Sequence, residues 1–253
     1  DEGEGPAVVL VHGNPTWSYY FRNVVRILTD SFRVIVPDHM GCGLSDKPQK
    51  YDYTLSTHIS NLVALLDHLD IKPVSMIVHD WGGAIGMGYA TRFPEKIRKI
   101  VILNTAAFRS TQIPFRIRIC RWPFLGALLI KGLNGFARAA LFMAVTRKMD
   151  KETENAYLAP YDSWKNRVAI HNFVRDIPLE SSHQSYSELT KIEQGLTGLS
   201  QRNIPMMICW GGRDFCFNDH FFNEWKLRFP KSERYYFEDG GHYILEDEQG
   251  VIE

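Results

Sequence analysis

The sequence has no net charge, because its 253 residues include 29 Lys plus Arg and 29 Asp plus Glu. Proteins that bind duplex nucleic acid need a basic excess to neutralise phosphates, so the balance excludes nucleic acid as the expected partner. Long hydrophobic runs are absent too. The apolar run 124–130 ends at Lys131, well short of the ~18 residues that span a bilayer. We therefore expect a water-soluble protein.

Cysteine is scarce, and no metal or cofactor motif is present. Cys42, Cys120, Cys209 and Cys216 form no C-x-x-C pair, which argues against a zinc site or a disulfide framework and favours a reducing, cytoplasmic compartment. The glycine-rich segment 41–46 lacks the third glycine of the dinucleotide fingerprint, and no H-E-x-x-H pattern occurs. We expect no cofactor and no metal.

Short apolar runs alternate with amphipathic stretches along the chain. Near-continuous apolar runs are typical of strands buried on both faces of a parallel sheet. The stretch 55–69 instead places its apolar residues on one helical stripe, with Thr54 or Ser56 available as an N-cap. The sequence thus predicts an α/β fold, a mostly parallel sheet flanked by helices. The predicted strands are 7–11, 33–36, 74–78, 99–103, 205–209 and 233–237.

One long segment, 107–203, interrupts this alternation. It looks helical and carries many aromatic residues. We expect it to form an inserted helical cap, and residues 1–106 and 204–253 to form the core.

The first half of the predicted cap is unusually basic. From Lys96 to Met149 the sequence has eleven basic residues and no acidic one. A solvated face accounts for such a run, and so does a docking surface for an acidic partner protein or an anionic membrane. Both interpretations stay open at this point.

The predicted strand 74–78 leads directly into H-D-W-G-G at 79–83 and then into an apolar helix. A strand, a sharp glycine-containing turn and a helix form the nucleophile elbow, which exposes one side chain at the top of a sheet. Asp80 holds the nucleophile position, and a carboxylate there can attack carbon directly. No G-x-S-x-G occurs, which argues against a serine esterase. The alternative for Asp80 is a helix N-cap.

Two further chemical residues follow the last two predicted strands. Asp214 lies in W-G-G-R-D at 210–214, and His242 lies in D-G-G-H at 239–242. The order nucleophile, acid, histidine matches a catalytic triad with its members at the C-terminal ends of parallel strands. We expect Asp214 to orient His242 and His242 to act as general base.

The turn after the first strand, H-G-N-P-T-W at 12–17, is placed to contribute to an oxyanion hole. Asn14 and Trp81 both carry side-chain N–H donors. Two such donors beside a carboxylate nucleophile predict a pocket for a departing halide or a developing carboxylate. A turn asparagine and a core tryptophan are the structural alternatives.

These motifs resemble the haloalkane dehalogenase branch of the α/β-hydrolases over essentially the whole chain. The resemblance implies that Asp80 is the nucleophile, Asp214 the acid and His242 the base, with Asn14 and Trp81 as the halide- or oxyanion-stabilising donors. The segments that carry it are 12–17, 36–48 and 79–83.

Within that branch the cap is most similar to the β-lactone decarboxylases of bacterial long-chain olefin biosynthesis. The resemblance implies conversion of a cis-β-lactone with two long alkyl chains into a cis-alkene and CO2, and olefin-pathway enzymes as partners. Some relatives place the acid after the preceding strand, where this chain has 104–107 without a carboxylate. The segments that carry the resemblance are 104–108, 159–167, 176–179 and 213–217.

Three alternatives remain. A haloalkane dehalogenase would use the same five residues to displace halide, with His242 activating water. An epoxide hydrolase would also need cap tyrosines to protonate the epoxide oxygen, for which Tyr157, Tyr161 and Tyr186 are candidates. A non-catalytic binding module predicts a broken triad, and this triad is complete.

The two ends of the sequence are shorter than the resemblance implies. The family carries about two further strands before Asp1 and a helix beyond Glu253, so we expect missing segments. The acidic start, residues 1–4, resembles no signal peptide.

Overall fold

Six parallel strands form one sheet in the order β2-β1-β3-β4-β5-β6 in a computed structural model that describes residues 1–251. The predicted parallel α/β arrangement is confirmed. Three strands run further than the sequence indicated, since β3 reaches Asp80, β4 reaches Thr105 and β5 reaches Gly211. The strands are β1 (Ala7–Val11), β2 (Arg33–Ile35), β3 (Val74–Asp80), β4 (Ile97–Thr105), β5 (Met206–Gly211) and β6 (Glu233–Phe237).

Eleven α-helices connect and cover the described strands. They are α1 (Arg22–Leu28), α2 (Leu55–His68), α3 (Trp81–Arg92), α4 (Phe115–Cys120), α5 (Pro123–Ala127), α6 (Gly135–Met143), α7 (Lys151–Leu158), α8 (Val168–Arg175), α9 (Tyr186–Gln201), α10 (Asp219–Arg228) and α11 (Ile244–Asp247). A π-helical turn, Leu128–Gly132, follows α5. Of the two N-cap candidates for α2, Thr54 is the one whose side chain accepts the N–H of Thr57.

The core lies on both faces of the sheet. Val9 and Val11 of β1 pack into one hydrophobic cluster, while the alternating Val8 and Leu10 pack into another on the opposite face. Burial on both faces explains why the sequence of β1 is continuously apolar, whereas β6 is mostly exposed and begins with Glu233 and Arg234. Because all six strands are parallel, their C-terminal ends lie at the same edge of the sheet.

Six helices, α4 to α9, lie between β4 and β5. A third, smaller cluster joins the π-helical turn, α6 and α8 through Ile130, Ala137 and Ile170. The last of these helices packs back on the core, because Gly195 of α9 contacts Thr91 of α3 closely enough to leave no room for a Cβ. The cap boundaries 107 and 203 stay a prediction.

Among the described residues, no single helix has the length and apolar composition needed to cross a bilayer. One bent pair, Pro123–Gly132 followed by Gly135–Met143 at 71°, meets the criterion only when both helices are counted together.

Candidate active site

Asp80 lies at the turn between β3 and α3, in a strained backbone conformation. Its φ of 51° and ψ of −126° fall in a region that residues other than glycine rarely adopt. The turn is tight because a Cβ at Gly82 would overlap the carbonyl of Val11. The hydroxyl of Thr105, at the end of β4, donates a short hydrogen bond to the carbonyl of Asp80. The strand-turn-helix geometry thus holds the Asp80 side chain at the C-terminal edge of the sheet.

The carboxylate of Asp80 is buried between two groups. The backbone N–H of Asn14 donates to its Oδ1 at 2.6 Å, and Nε2 of His242 lies 3.6 Å from its Oδ2. Burial raises the pKa of Asp80 above its ordinary value, while His242 and the backbone N–H groups of Asn14 and Trp81 oppose that shift. The surroundings are suited to a charged nucleophile that is poorly solvated.

His242 connects Asp80 with Asp214. Its Nδ1–H donates to Oδ2 of Asp214 at 2.7 Å, which leaves Nε2 facing Asp80. Burial alone lowers the pKa of His242, but the charge and hydrogen bond of Asp214, with the charge of Asp80, outweigh it and raise the pKa above its ordinary value. The structure therefore brings the three residues of the predicted triad into one line of contacts.

Asp214 is fully enclosed by donors. Its Oδ1 accepts the backbone N–H groups of Cys216 at 2.6 Å and Phe217 at 3.0 Å. Its Oδ2 accepts Nδ2 of Asn104 at 3.0 Å in addition to His242. Four hydrogen bonds stabilise a buried carboxylate that would otherwise be costly to desolvate.

Two supporting residues were not identified from the sequence as part of the site. Asn104 accepts the N–H of Gly211 and donates both to the Gly211 carbonyl and to Asp214. Nε2 of His79 donates to the carbonyl of His242 at 2.8 Å, which fixes the loop that carries the histidine. Their positions were the available signal, since His79 directly precedes the nucleophile on β3 and Asn104 lies near the end of the neighbouring strand β4.

Asn14 and Trp81 lie beside Asp80 and line the same cavity. Nδ2 of Asn14 donates to the carbonyl of Ile170 at 3.3 Å, and a primary amide carries a second N–H. The Trp81 ring packs against Phe173 with centroids 5.2 Å apart. His12 supports this turn, because its Nδ1–H donates to the Gly13 carbonyl and its Nε2 accepts the N–H of His39.

A cavity of about 480 Å³ lies above these residues. Asp80, Trp81 and His242 line it from the sheet side, and helices α4 and α6 line it from the other. Among the described residues that line the cavity, Asp80 and Arg116 are the only ones of the types Asp, Glu, Lys and Arg. Such a cavity is suited to a small hydrophobic molecule that presents one polar group to Asp80.

The three candidate tyrosines for epoxide opening do not meet at this cavity. Tyr157 donates to Glu246, Tyr161 donates to the Thr16 carbonyl, and Tyr186 accepts from Arg109. None of the three is among the described residues that line the cavity. No group of three or more His, Cys, Asp or Glu within the described part of the chain could hold a metal ion.

Comparisons with known proteins agree with one another. A family model described as alpha/beta hydrolase fold matches residues 6–249. The cis-3-alkyl-4-alkyloxetan-2-one decarboxylase of Shewanella oneidensis is 47% identical over 254 residues, 98% of this chain and 79% of the relative. The protein of the same name from Xanthomonas campestris is 42% identical over 265 residues, 100% of this chain and 88% of the relative. The crystal structure of haloalkane dehalogenase DbeA from Bradyrhizobium elkani matches with a TM-score of 0.90 and 26% identity, over 99% of this chain and 89% of that one.

Proposed function

This chain belongs to the α/β-hydrolase family of enzymes, and we propose that it decarboxylates a β-lactone with two alkyl substituents to an alkene and CO2. The resemblance predicted from the motifs is confirmed. The observation that carries the proposal is a single buried carboxylate, flanked by N–H donors, in a mostly apolar cavity of a chain so similar to oxetan-2-one decarboxylases. The apolar lining is suited to the alkyl chains, and the donors are suited to the carboxylate.

In the proposed first step, Asp80 attacks the ring carbon that carries the lactone oxygen. An Asp80 Oδ–carbon bond forms and the carbon–oxygen ring bond breaks, giving an alkyl ester on Asp80 and a free carboxylate on the neighbouring carbon. Asn14 and Trp81 stabilise the departing carboxylate, which occupies the place that a halide takes in displacement from an alkyl carbon.

In the second step, the new carboxylate leaves as CO2. The electrons of its carbon–carbon bond form the alkene, and the ester bond to Asp80 breaks to return the free carboxylate. Atoms balance without water or a net proton. His242 lies beside the carboxylate that Asp80 regains, and a protonated imidazole there would stabilise it; burial lowers the pKa of His242, but the charge and hydrogen bond of Asp214 raise it.

Haloalkane dehalogenation is the second candidate, and the similarity to the DbeA structure is the observation that favours it. Asp80 would displace halide, and His242 in its neutral form would activate water to cleave the alkyl ester. Hydrolysis at the Asp80 carboxyl carbon would then place one water oxygen in the Asp80 side chain.

One experiment separates the two reactions. The purified chain is incubated with a cis-3,4-dialkyl β-lactone or with 1-bromobutane in water labelled with heavy oxygen. Alkene is followed by gas chromatography and bromide by ion release. The mass of the peptide that contains Asp80 is measured after digestion. We expect alkene with an unlabelled Asp80. Bromide without alkene, or label in Asp80 after lactone turnover, would contradict the proposal, and Asp80→Asn is the inactive control.

We also propose a cytoplasmic location and protein partners for this enzyme. The four cysteines are free thiols, which suits a reducing cytoplasm. Other enzymes of olefin synthesis are the proposed protein partners, because a β-lactone must be supplied by an enzyme that closes its ring.

A further inference from the structure

The helices at the outer end of the cap expose an unusual number of large apolar side chains. We call residues 115–143, from the start of α4 to the end of α6, the cap tip. It holds seven of the fourteen exposed large hydrophobic residues among those described, although it is a small part of the chain. Phe124 is 92% exposed and Phe115 74%. The seven are Phe115, Trp122, Phe124, Leu125, Leu128, Leu133 and Phe142.

All charges of the cap tip have one sign. It contains five basic residues and no acidic one. No carboxylate described by the structure lies within 4.0 Å of Arg116, Arg118 or Arg138. These arginines can therefore pair with an anionic surface without breaking an internal ion pair.

One side of the cap tip is already packed against the protein. Ile130 and Ala137 are buried with Tyr161, Ile170 and Val174 in the small cap cluster. Leu128 and Phe142 are exposed on the two elements that carry Ile130 and Ala137, and the other five exposed residues lie on α4, on α5 and in the adjoining segments. The helix pair Pro123–Gly132 and Gly135–Met143 is held to the protein by this packed side, so it can lie along a membrane surface. Spanning a bilayer would require pulling that side out of the protein.

The substrate cavity opens beside the cap tip. Pro114, Arg116, Met143 and Phe215 line both the cavity and an adjoining open recess that Phe115 completes. A surface that contacts the cap tip would therefore cover or surround this opening.

We propose that the cap tip docks in the plane of an anionic lipid bilayer. Aromatic and leucine side chains flanked by arginine are typical of interfacial membrane helices, because the apolar groups enter the acyl boundary while the guanidinium groups contact phosphates. A second copy of this chain is a poor occupant, since the same basic surfaces would oppose each other. Entry of a lipophilic substrate through the adjoining opening rests on the proposed function, but docking itself does not.

Vesicle flotation tests the docking directly. The full chain is mixed with vesicles of phosphatidylcholine alone or with about a quarter phosphatidylglycerol, and the bound fraction is measured at low and high salt. We expect binding to the anionic vesicles that weakens with salt. Arg118→Glu combined with Arg138→Glu should lower vesicle partitioning at least tenfold, since each basic residue near an anionic surface contributes about 1 kcal/mol.

A second variant tests the exposed apolar residues of the cap tip. Phe124→Ser should also release the protein from anionic vesicles, whereas Leu227→Ser, at another exposed leucine, and Arg202→Glu, at another exposed arginine, should not. Turnover of a short-chain lactone in free solution should be unchanged in Phe124→Ser, which separates loss of docking from loss of activity. Absence of vesicle binding by the wild type, binding indifferent to anionic lipid, or a dimer in sedimentation that Phe124→Ser abolishes would each overturn the proposal.

Discussion

Asn104 donates to the same Oδ2 atom of Asp214 that accepts the Nδ1–H of His242, at 3.0 Å and 2.7 Å respectively. The amide also bonds the N–H and the carbonyl of Gly211. One fully buried side chain thus ties the end of β4 to the end of β5 and orients the acid. Asn104 acts as a positioning residue, since it reaches His242 only through Asp214.

Asn104→Ala should therefore weaken both stability and turnover. The N–H and the carbonyl of Gly211 each lose a hydrogen bond, and Asp214 loses one donor, so we expect the free energy of unfolding to fall by about 1–3 kcal/mol and kcat to fall by about tenfold. Urea unfolding and lactone turnover measure the two effects. Asn61→Ala removes a hydrogen bond to Tyr51 far from the site and is the matched control. Unchanged kcat in Asn104→Ala would refute the positioning role.

Moving the carboxylate from position 214 to position 104 tests the contact between Asn104 and Asp214 directly. Asp214→Asn should lower turnover by about 10²-fold or more, because His242 loses the charge that raises its pKa. Adding Asn104→Asp returns a carboxylate close to the original oxygen, and we expect part of the activity to return. A double variant as inactive as Asp214→Asn alone would show that position 104 cannot orient the histidine.

The indole N–H of Trp81 should contribute to turnover separately from its ring. Trp81→Phe keeps an aromatic ring beside Phe173 but removes the donor, so we expect kcat to fall about 10²-fold with little change in melting temperature. Trp210→Phe removes an indole N–H that has no partner among the described residues and lies away from the cavity. Equal kcat values in the two variants would argue against Trp81 as a donor.

Much of the site was predictable because of how a parallel sheet is built. Asp80, Asp214 and His242 each follow a short apolar strand, and the C-terminal ends of parallel strands share one edge. The residues that hold them were not predictable. Asn104 and Gly211 are 107 positions apart, and their hydrogen bonds depend on β4 and β5 being neighbours, which the strand sequences alone do not specify.

The cap was harder to predict in detail for a different reason. Its helices are short and interrupted, by Pro123 at the start of α5 and by a π-helical turn at Leu128–Gly132. Apolar residues there serve the cavity, the small cluster and the exposed surface at once. Hydrophobic periodicity therefore does not separate a buried face from an exposed one, as it does in α2.

The cap helix α6 should limit the length of the alkyl chains that the cavity accepts. Ala139 lies on the cavity wall, and Ala139→Phe fills space that an alkyl chain would use. Excluding about four methylenes costs roughly 3 kcal/mol, so kcat/KM for a long-chain lactone should fall about 100-fold, with a short-chain lactone little affected. Ala159→Phe, at an exposed position away from the cavity, is the control. An equal loss for both substrates would indicate general damage to the cap.

Buried His58 should make the fold sensitive to acid. Neither ring nitrogen has a hydrogen-bond partner among the described residues, and the ring stacks on Phe173 at 4.4 Å. Burial, followed by the charge of His39, lowers the pKa of His58 from 6.5 to about 3. As pH falls below 6.5 the unfolded chain takes up a proton that the folded chain does not, so stability is lost towards pH 3, by on the order of 2–3 kcal/mol at about pH 4.5. His58→Phe removes this loss, and urea unfolding at about pH 7 and pH 4.5 should show a smaller difference than in the wild type or in the exposed control His68→Gln. If His58→Phe loses as much stability in acid as the wild type, His58 is not the group responsible.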